Sequence, residues 1–242
     1  NPTAPILADV WVDGVERKIV AQLTKQGFTY VFDRLTGEPI WPIEETPVPQ
    51  TDVPGEWTSP TQPIPTLPVP YERQGISADD LIDFTPEILE RAREIVSEYR
   101  MGPVFSPPSL RDAPDGTRGT LSLPGTLGGA NWEGGALDPE TGVLYVGSET
   151  NPAVLQLVPG GERSDMDYVF GFVRADIARG VPIVKPPWGR ITALDLTDGS
   201  KAWMVPNGDT PDYVAERLGI DPELIPRTGK VSRAGLLVTR TL

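Results

Sequence analysis

Short runs along this chain either alternate polar with apolar positions or are apolar throughout. Lys18–Leu23, Phe28–Phe32, Val143–Val146, Gly189–Leu194 and Leu236–Thr241 each read as a strand, since a period of two puts successive side chains on opposite faces of a sheet. Between such runs one turn recurs. Val31-Phe32-Asp33-Arg34-Leu35-Thr36-Gly37 leads to Trp41, Ala193-Leu194-Asp195-Leu196-Thr197-Asp198-Gly199 leads to Trp203, and Ala136-Leu137-Asp138-Pro139-Glu140-Thr141-Gly142 leads to Tyr145. The Asp carboxylate can accept from backbone N–H groups of the turn, Gly supplies a positive φ, and the aromatic at a fixed offset is expected to dock on a neighbouring unit. Asp138 and Asp195 lie 57 residues apart and Asp33 and Asp138 lie 105 apart, so a unit of about 50 residues, the length of a propeller blade, is expected. The pattern predicts an all-β protein.

Two segments break this rhythm. Residues 42–74 carry nine prolines between Pro42 and Pro70, which predicts an extended, polyproline-like path over a surface. After it, Ser77 and Asp80 read as a capping box over a short turn. Thr85-Pro86-Glu87 reads as N-cap, N1 proline and early acid of a helix near 86–100, with Ile88, Leu89, Ala92, Ile95, Val96 and Tyr99 on one face. Residues 42–118 are therefore expected to be an insertion between strands.

Composition narrows the chemistry. The 242 residues hold 21 Lys+Arg against 34 Asp+Glu, a formal charge of −13, which argues against nucleic acid or a polybasic membrane patch. There is no Cys and no His, so neither a Ser-His-Asp triad nor a thiolate or Cys-ligated metal centre can be built from this chain. Catalysis would have to use carboxylates, lysine or a cofactor. No run of about 18 apolar residues exists to span a membrane. The opening Asn1-Pro2-Thr3, and an end at Val238–Leu242 that reads as mid-strand, are expected of a piece of a longer chain.

Four places put reactive or aromatic groups among glycines. Lys25, in Thr24-Lys25-Gln26-Gly27, sits at a corner between two strand runs, where a lysine is usually solvated. Leu127-Gly128-Gly129-Ala130-Asn131-Trp132-Glu133-Gly134-Gly135 could bring backbone, an amide and an indole against a flat ligand, or could be a glycine-rich turn with a core Trp. Lys185-Pro186-Pro187-Trp188-Gly189-Arg190 could line a pocket, or Trp188 could close a blade. Arg233-Ala234-Gly235 is a weaker candidate. The Gly-x-Gly-x-x-Gly dinucleotide fingerprint is absent.

At these motifs the chain resembles the membrane-associated glucose/quinate type of pyrroloquinoline-quinone (PQQ)-dependent dehydrogenases. The resemblance rests on Gln22–Asp33, Trp41-Pro42-Ile43-Glu44-Glu45, Ser59-Pro60-Thr61-Gln62-Pro63, Phe105-Ser106-Pro107-Pro108-Ser109, Gly128–Trp132, Pro187–Arg190 and Met204–Pro211, in the family's order over nearly the whole chain. It implies a partial eight-bladed β-propeller of about four blades or fewer, with the Pro-rich and helical insertion, forming one propeller domain across 1–242. It implies that Lys25 contacts the ortho-quinone, that Asn131 and Trp132 are cofactor-pocket residues, and that Trp188, Gly189 and Arg190 match a further family segment. The family's catalytic Asp lies just upstream of the stretch matching Pro2–Asp9, so no catalytic residue is expected in this chain. Asp9 and Asp13 do not replace it, since Asp13-Gly14 reads as a hairpin turn. The ligands of a divalent cation (Ca or Mg) and any membrane anchor are also expected upstream. The parent would oxidise a sugar or cyclic polyol in the periplasm and pass electrons to ubiquinone. The alternatives are a non-catalytic propeller scaffold, which has no use for Lys25 with Asn131-Trp132, and a sugar hydrolase, for which no carboxylate pair is identifiable.

Overall fold

The computed structural model describes residues 2–239. The first sheet is a meander of β1 (Ile6–Val12), β2 (Val15–Leu23) and β3 (Thr29–Asp33). Asp13 and Gly14 both take positive φ in the two-residue turn between β1 and β2, the backbone that suits strand twist. A bridge from Phe32 to Pro39 begins a fourth pairing. Next come a ribbon of β4 (Ile43–Pro47) and β5 (Thr61–Pro65), helix α1 (Pro86–Val96), and the short strands β6 (Ser109–Leu110) and β7 (Thr120–Ser122). The chain then forms β8 (Gly135–Asp138), β9 (Val143–Glu149), β10 (Ala153–Pro159), β11 (Tyr168–Arg174), β12 (Asp176–Ala178), β13 (Val181–Pro182), β14 (Gly189–Asp195), β15 (Lys201–Pro206) and helix α2 (Tyr213–Leu218). β8, β9, β14 and β15 make a four-stranded antiparallel sheet, with residues 150–188 as an excursion between its two middle strands.

The three recurring turns share one geometry. The carboxylates of Asp33, Asp138 and Asp195 accept from the N–H of Leu35, Glu140 and Thr197, at 2.8, 2.9 and 2.8 Å. Their carbonyls accept from Gly37, Gly142 and Gly199, whose φ values are 79, 75 and 79°. Since the Asp33 and Asp138 hydrogen bonds favour the ionised form, both carboxyls are held below the usual carboxylate range.

Alternation buries one face of each sheet against the other. Val10, Val12, Ile19, Ala21, Leu23 and Val31 of the first sheet join Leu144, Val146 and Leu194 of the second in one cluster with Leu196 and Trp41. Each fully buried aliphatic side chain contributes about 1.5–3 kcal/mol and a turn hydrogen bond about 1 kcal/mol, so the apolar seam dominates the stacking. A second cluster seats Ile88, Ala92 and Val96 of α1 on Ile82, Leu121, Leu123, Val154, Ile177, Ile183 and Trp188.

Four local expectations are corrected. The proline-rich stretch is a paired ribbon through Pro65 instead of a lone polyproline path, with Glu45 opposite Pro63 and Ile43 opposite Pro65. In a two-stranded ribbon each strand is an edge, so an absent N–H need not break a ladder. Helix α1 starts as expected, with Thr85 Oγ1 accepting from Ile88 N, but ends at Val96, where Ser97 N and Oγ both bond to the Glu94 carbonyl. Trp203 does not dock into a neighbouring unit: it is 44% exposed and packs on Tyr145 of its own sheet, ring centroids 5.7 Å apart. Leu236–Thr239 is not a strand; these residues border a cavity with Tyr145, Ile191 and Trp203, and Arg240–Leu242 lie outside the described residues.

Candidate functional site

The corner holding Lys25 is built by its own backbone. Thr24 N bonds to Phe28 O and Gly27 N to Thr24 O, and Gly27 closes the turn at φ 84°. The Tyr71 hydroxyl accepts from Thr24 N at 3.1 Å, and Gln74 Nε2 donates to Gln26 O at 2.7 Å. Burial pushes the Tyr71 hydroxyl well above its ordinary pKa, which keeps it protonated.

The glycine-rich loop lies directly on this corner. Lys25 Nζ donates to the Thr126 carbonyl at 3.1 Å, and Gly129 N donates to Lys25 O at 2.8 Å. A Cβ on Gly128, whose φ is 85°, would stand 2.6 Å from both Cβ and Cγ of Lys25, closer than two carbons can approach. Only glycine lets the loop seat there. Lys25 and the loop leading to Asn131 and Trp132 are thus brought together.

Asn131 and Trp132 differ in exposure. The Asn131 amide bonds within the loop, where Nδ2 donates to Leu127 O at 3.0 Å and Oδ1 accepts from Trp132 N at 3.0 Å. Thr3 Oγ1 also donates to the Asn131 carbonyl at 3.1 Å. Asn131 therefore braces the loop, and the indole of Trp132 is left 80% exposed. Trp188 is a core residue that also borders a cavity, its Nε1 donating to Val184 O at 2.8 Å. Arg190 is buried and ion-paired with Glu72.

Arg233 spans two carboxylates, Glu133 at 3.2 Å and Glu149 at 3.9 Å. Burial raises the Glu149 carboxyl, opposed by Arg233 and reinforced by Glu133 and Glu72. Glu149 and Arg233 line a cavity of ≈ 460 Å³ with Leu127, Arg174, Lys230 and Tyr213. Among the described residues, no group of three or more carboxylates could hold a metal ion. Asp9 is a surface partner of Lys18 and Arg34, away from this corner. Sequence reading missed Glu72, Glu133 and Glu149; each looks like an ordinary surface acid, and only the tertiary path reveals its partner.

Meandering antiparallel sheets with repeated Asp-Gly turns are stacked through their apolar faces, and at one corner a lysine is seated under a glycine loop. Over residues 1–242 the chain matches the family described as PQQ: Glucose/ethanol/alcohol dehydrogenase, beta-propeller domain, and it belongs to that family. It is 31% identical over 233 residues to the quinate/shikimate dehydrogenase (quinone) of Acinetobacter baylyi, covering 87% of this chain and 28% of that protein. To the quinoprotein glucose dehydrogenase of Gluconobacter oxydans it is 32% identical over 240 residues, covering 87% and 29%. To the glycerol dehydrogenase large subunit of Gluconobacter thailandicus it is 33% identical over 233 residues, covering 81% and 30%. The chain spans less than a third of the length of these relatives. The described residues form a mostly-strand structure that does not close a ring, and no helix is long and apolar enough to cross a membrane.

Proposed function

We propose that this chain forms one side of the cofactor site of a PQQ-dependent dehydrogenase, with Lys25 as the contact to the ortho-quinone and Trp132 as an aromatic surface beside it. The observation that carries this reading is the seating of the Gly128–Gly129 turn on Lys25. The residues present fit such a group. A half-buried ammonium suits the carboxylate and quinone oxygens of a flat polyanion, glycines permit close backbone approach, and an exposed indole offers a stacking face. When bound, PQQ supplies the two-electron acceptor for oxidation of a substrate hydroxyl.

This chain's part is to hold and orient. Lys25 places a positive charge where negative charge develops on the acceptor, and an ordered cation costs no reorganisation at that moment. Asn131 keeps the loop from Leu127 to Trp132 in one shape. The base that takes the hydroxyl proton, the ligands of a divalent cation and the rest of an eight-bladed ring belong to other parts of the full-length protein. The substrate is a sugar or cyclic polyol, the electron acceptor ubiquinone, and the compartment the periplasm with the parent held at the inner membrane.

The test is reduction of an artificial electron acceptor by the full-length protein supplied with PQQ and calcium. Lys25→Ala should lower the rate tenfold or more. A rate within a factor of two of wild type would sink the assignment, and would favour a scaffold that has no need of this lysine.

A further inference from the structure

Beneath the Lys25 corner lies a charged cluster that the proposed chemistry does not use. The Glu72 side chain is fully buried and that of Arg190 is 6% exposed. Arg190 Nη2 donates to the Glu72 carboxylate and to Thr150 Oγ1. Thr150 Oγ1 in turn donates to Glu72 Oε2 at 3.0 Å, and Arg73 N donates to Oε1 at 2.7 Å. Arg73 stands next to it, with Nη2 on the carbonyls of Lys185 and Pro186 at 2.8 and 3.1 Å. Burial lowers the pKa of Arg73. Arg73 Nη1 and Arg190 Nε are buried without a hydrogen-bond partner.

Charges taken out of water this completely are costly unless paired, and an apolar cluster of the same size would stabilise a fold as well or better. The placement of this pair suggests its use. The Glu72 stem is wedged between the two halves of the cradle: a Cβ on Gly27 would lie 2.6 Å from Glu72 Cβ, and one on Gly129 would lie 2.9 Å from the same atom and 3.2 Å from Cγ. Gly27 is two residues from Lys25, and Gly129 carries the N–H that bonds to Lys25 O. Each segment that reaches the carboxylate also grips a neighbouring part of the site. Tyr71 N bonds to Gly27 O, Glu149 N to Gly129 O, and Thr150 N to Trp188 O, two residues before Arg190.

Resting on the cofactor reading above, we infer that the Glu72–Arg190 pair, keyed by Thr150, is a positioning device that fixes the height of the Lys25 corner against the Gly128–Gly129 turn and so sets affinity for the quinone. The carboxylate can sit in only one place, between Arg190 and Thr150, and its stem therefore holds both glycines at a fixed separation. Neither Glu72 nor Arg190 needs to touch the cofactor for this.

The test uses the full-length apoprotein, with PQQ binding followed by quenching of tryptophan fluorescence and fold followed by thermal unfolding. Two variants are compared with wild type and with Lys25→Ala. Glu72→Gln keeps the stem and removes the charge. Glu72→Leu/Arg190→Met removes both charges of the pair and leaves Arg73 its bonds to the Lys185 and Pro186 carbonyls. The expected result is that the double variant unfolds within a few degrees of wild type while its dissociation constant for PQQ rises tenfold or more, with faster hydrogen exchange at the Gly129 and Glu149 amides. Glu72→Gln should weaken PQQ binding as well.

If the double variant binds PQQ with wild-type affinity while Lys25→Ala does not, the positioning role is wrong and the cofactor reading stands. If Lys25→Ala also binds normally, the cofactor reading itself is wrong, and this inference with it. A double variant that fails to fold counts against the inference too, because the pair would then be a source of stability and not of placement.

Discussion

Gly128→Ala isolates the contact on which the site depends, because the same protein supplies its own control. Gly37 has nearly the same backbone, φ 79° against 85°, but a Cβ there would meet nothing within 4 Å. Left-handed backbone costs an L-residue about 1–2 kcal/mol, and replacing glycine returns about 0.4–1 kcal/mol by restricting the unfolded chain. Gly37→Ala should therefore destabilise by about 1 kcal/mol. At Gly128 the new methyl would stand 2.6 Å from Lys25 Cβ and Cγ and 2.7 Å from its Cα. The last of these is backbone and cannot swing aside. Overpacking of this kind adds about 1–3 kcal/mol. If the loop lifts off instead, the Lys25 Nζ–Thr126 O and Gly129 N–Lys25 O bonds are lost at about 1 kcal/mol each, a similar total.

Either way the lysine and loop no longer share one geometry. Thermal unfolding and PQQ titration of the full-length apoprotein should show Gly128→Ala less stable than Gly37→Ala and binding PQQ at least tenfold more weakly, about 1.4 kcal/mol, with Gly37→Ala binding as wild type. Equal behaviour of the two variants in both assays would refute the reasoning.

Two further outcomes follow from burial. Because burial raises the Glu149 carboxyl above its ordinary 4.5, its ionisation costs the folded state; that cost is absent while the group is protonated in both states, grows as pH rises from 4.5 towards the folded value, and is constant above it. Glu149→Gln should thus raise Tm near pH 7 and leave it unchanged near pH 4, and a gain largest in acid would contradict this. Trp41, buried between the two sheets, and Trp203, on an exposed face, hold the same place in the repeat but should differ under truncation. Trp41→Ala should cost about 3–5 kcal/mol and Trp203→Ala less than half as much, measured by denaturant unfolding; equal losses would mean that both faces are covered alike.

What the sequence made legible was what short-range chemistry decides. The Asp33, Asp138 and Asp195 turns close on groups two to four residues away, so composition at fixed offsets was enough. Thr85 and Pro86 marked the start of α1 for the same reason, while its end depends on where the chain must turn to pair Arg100 with Thr120. Leu236–Thr239 is apolar enough to read as a strand, but composition alone does not fix whether a segment joins a ladder. Lys25 drew attention at first only as a lysine on a corner, and its seat under Gly128 crosses about a hundred residues. Glu72 was invisible. Its partners Thr150 and Arg190 lie 78 and 118 residues away, and in Tyr71-Glu72-Arg73 it looks like a solvated acid. Asn131 was legible as a loop residue, but whether its amide faced a ligand or its own backbone was a matter of loop shape.

The central claim is that Lys25 and its glycine seat form the quinone contact, and the structure of the full-length protein loaded with PQQ tests it most directly. The account predicts Lys25 Nζ within hydrogen-bond distance, about 3 Å, of a quinone or carboxylate oxygen, with Gly128 and Gly129 still packed on the Lys25 stem. A quinone bound elsewhere, with Lys25 Nζ making no contact to it and still donating only to the Thr126 carbonyl, would contradict it.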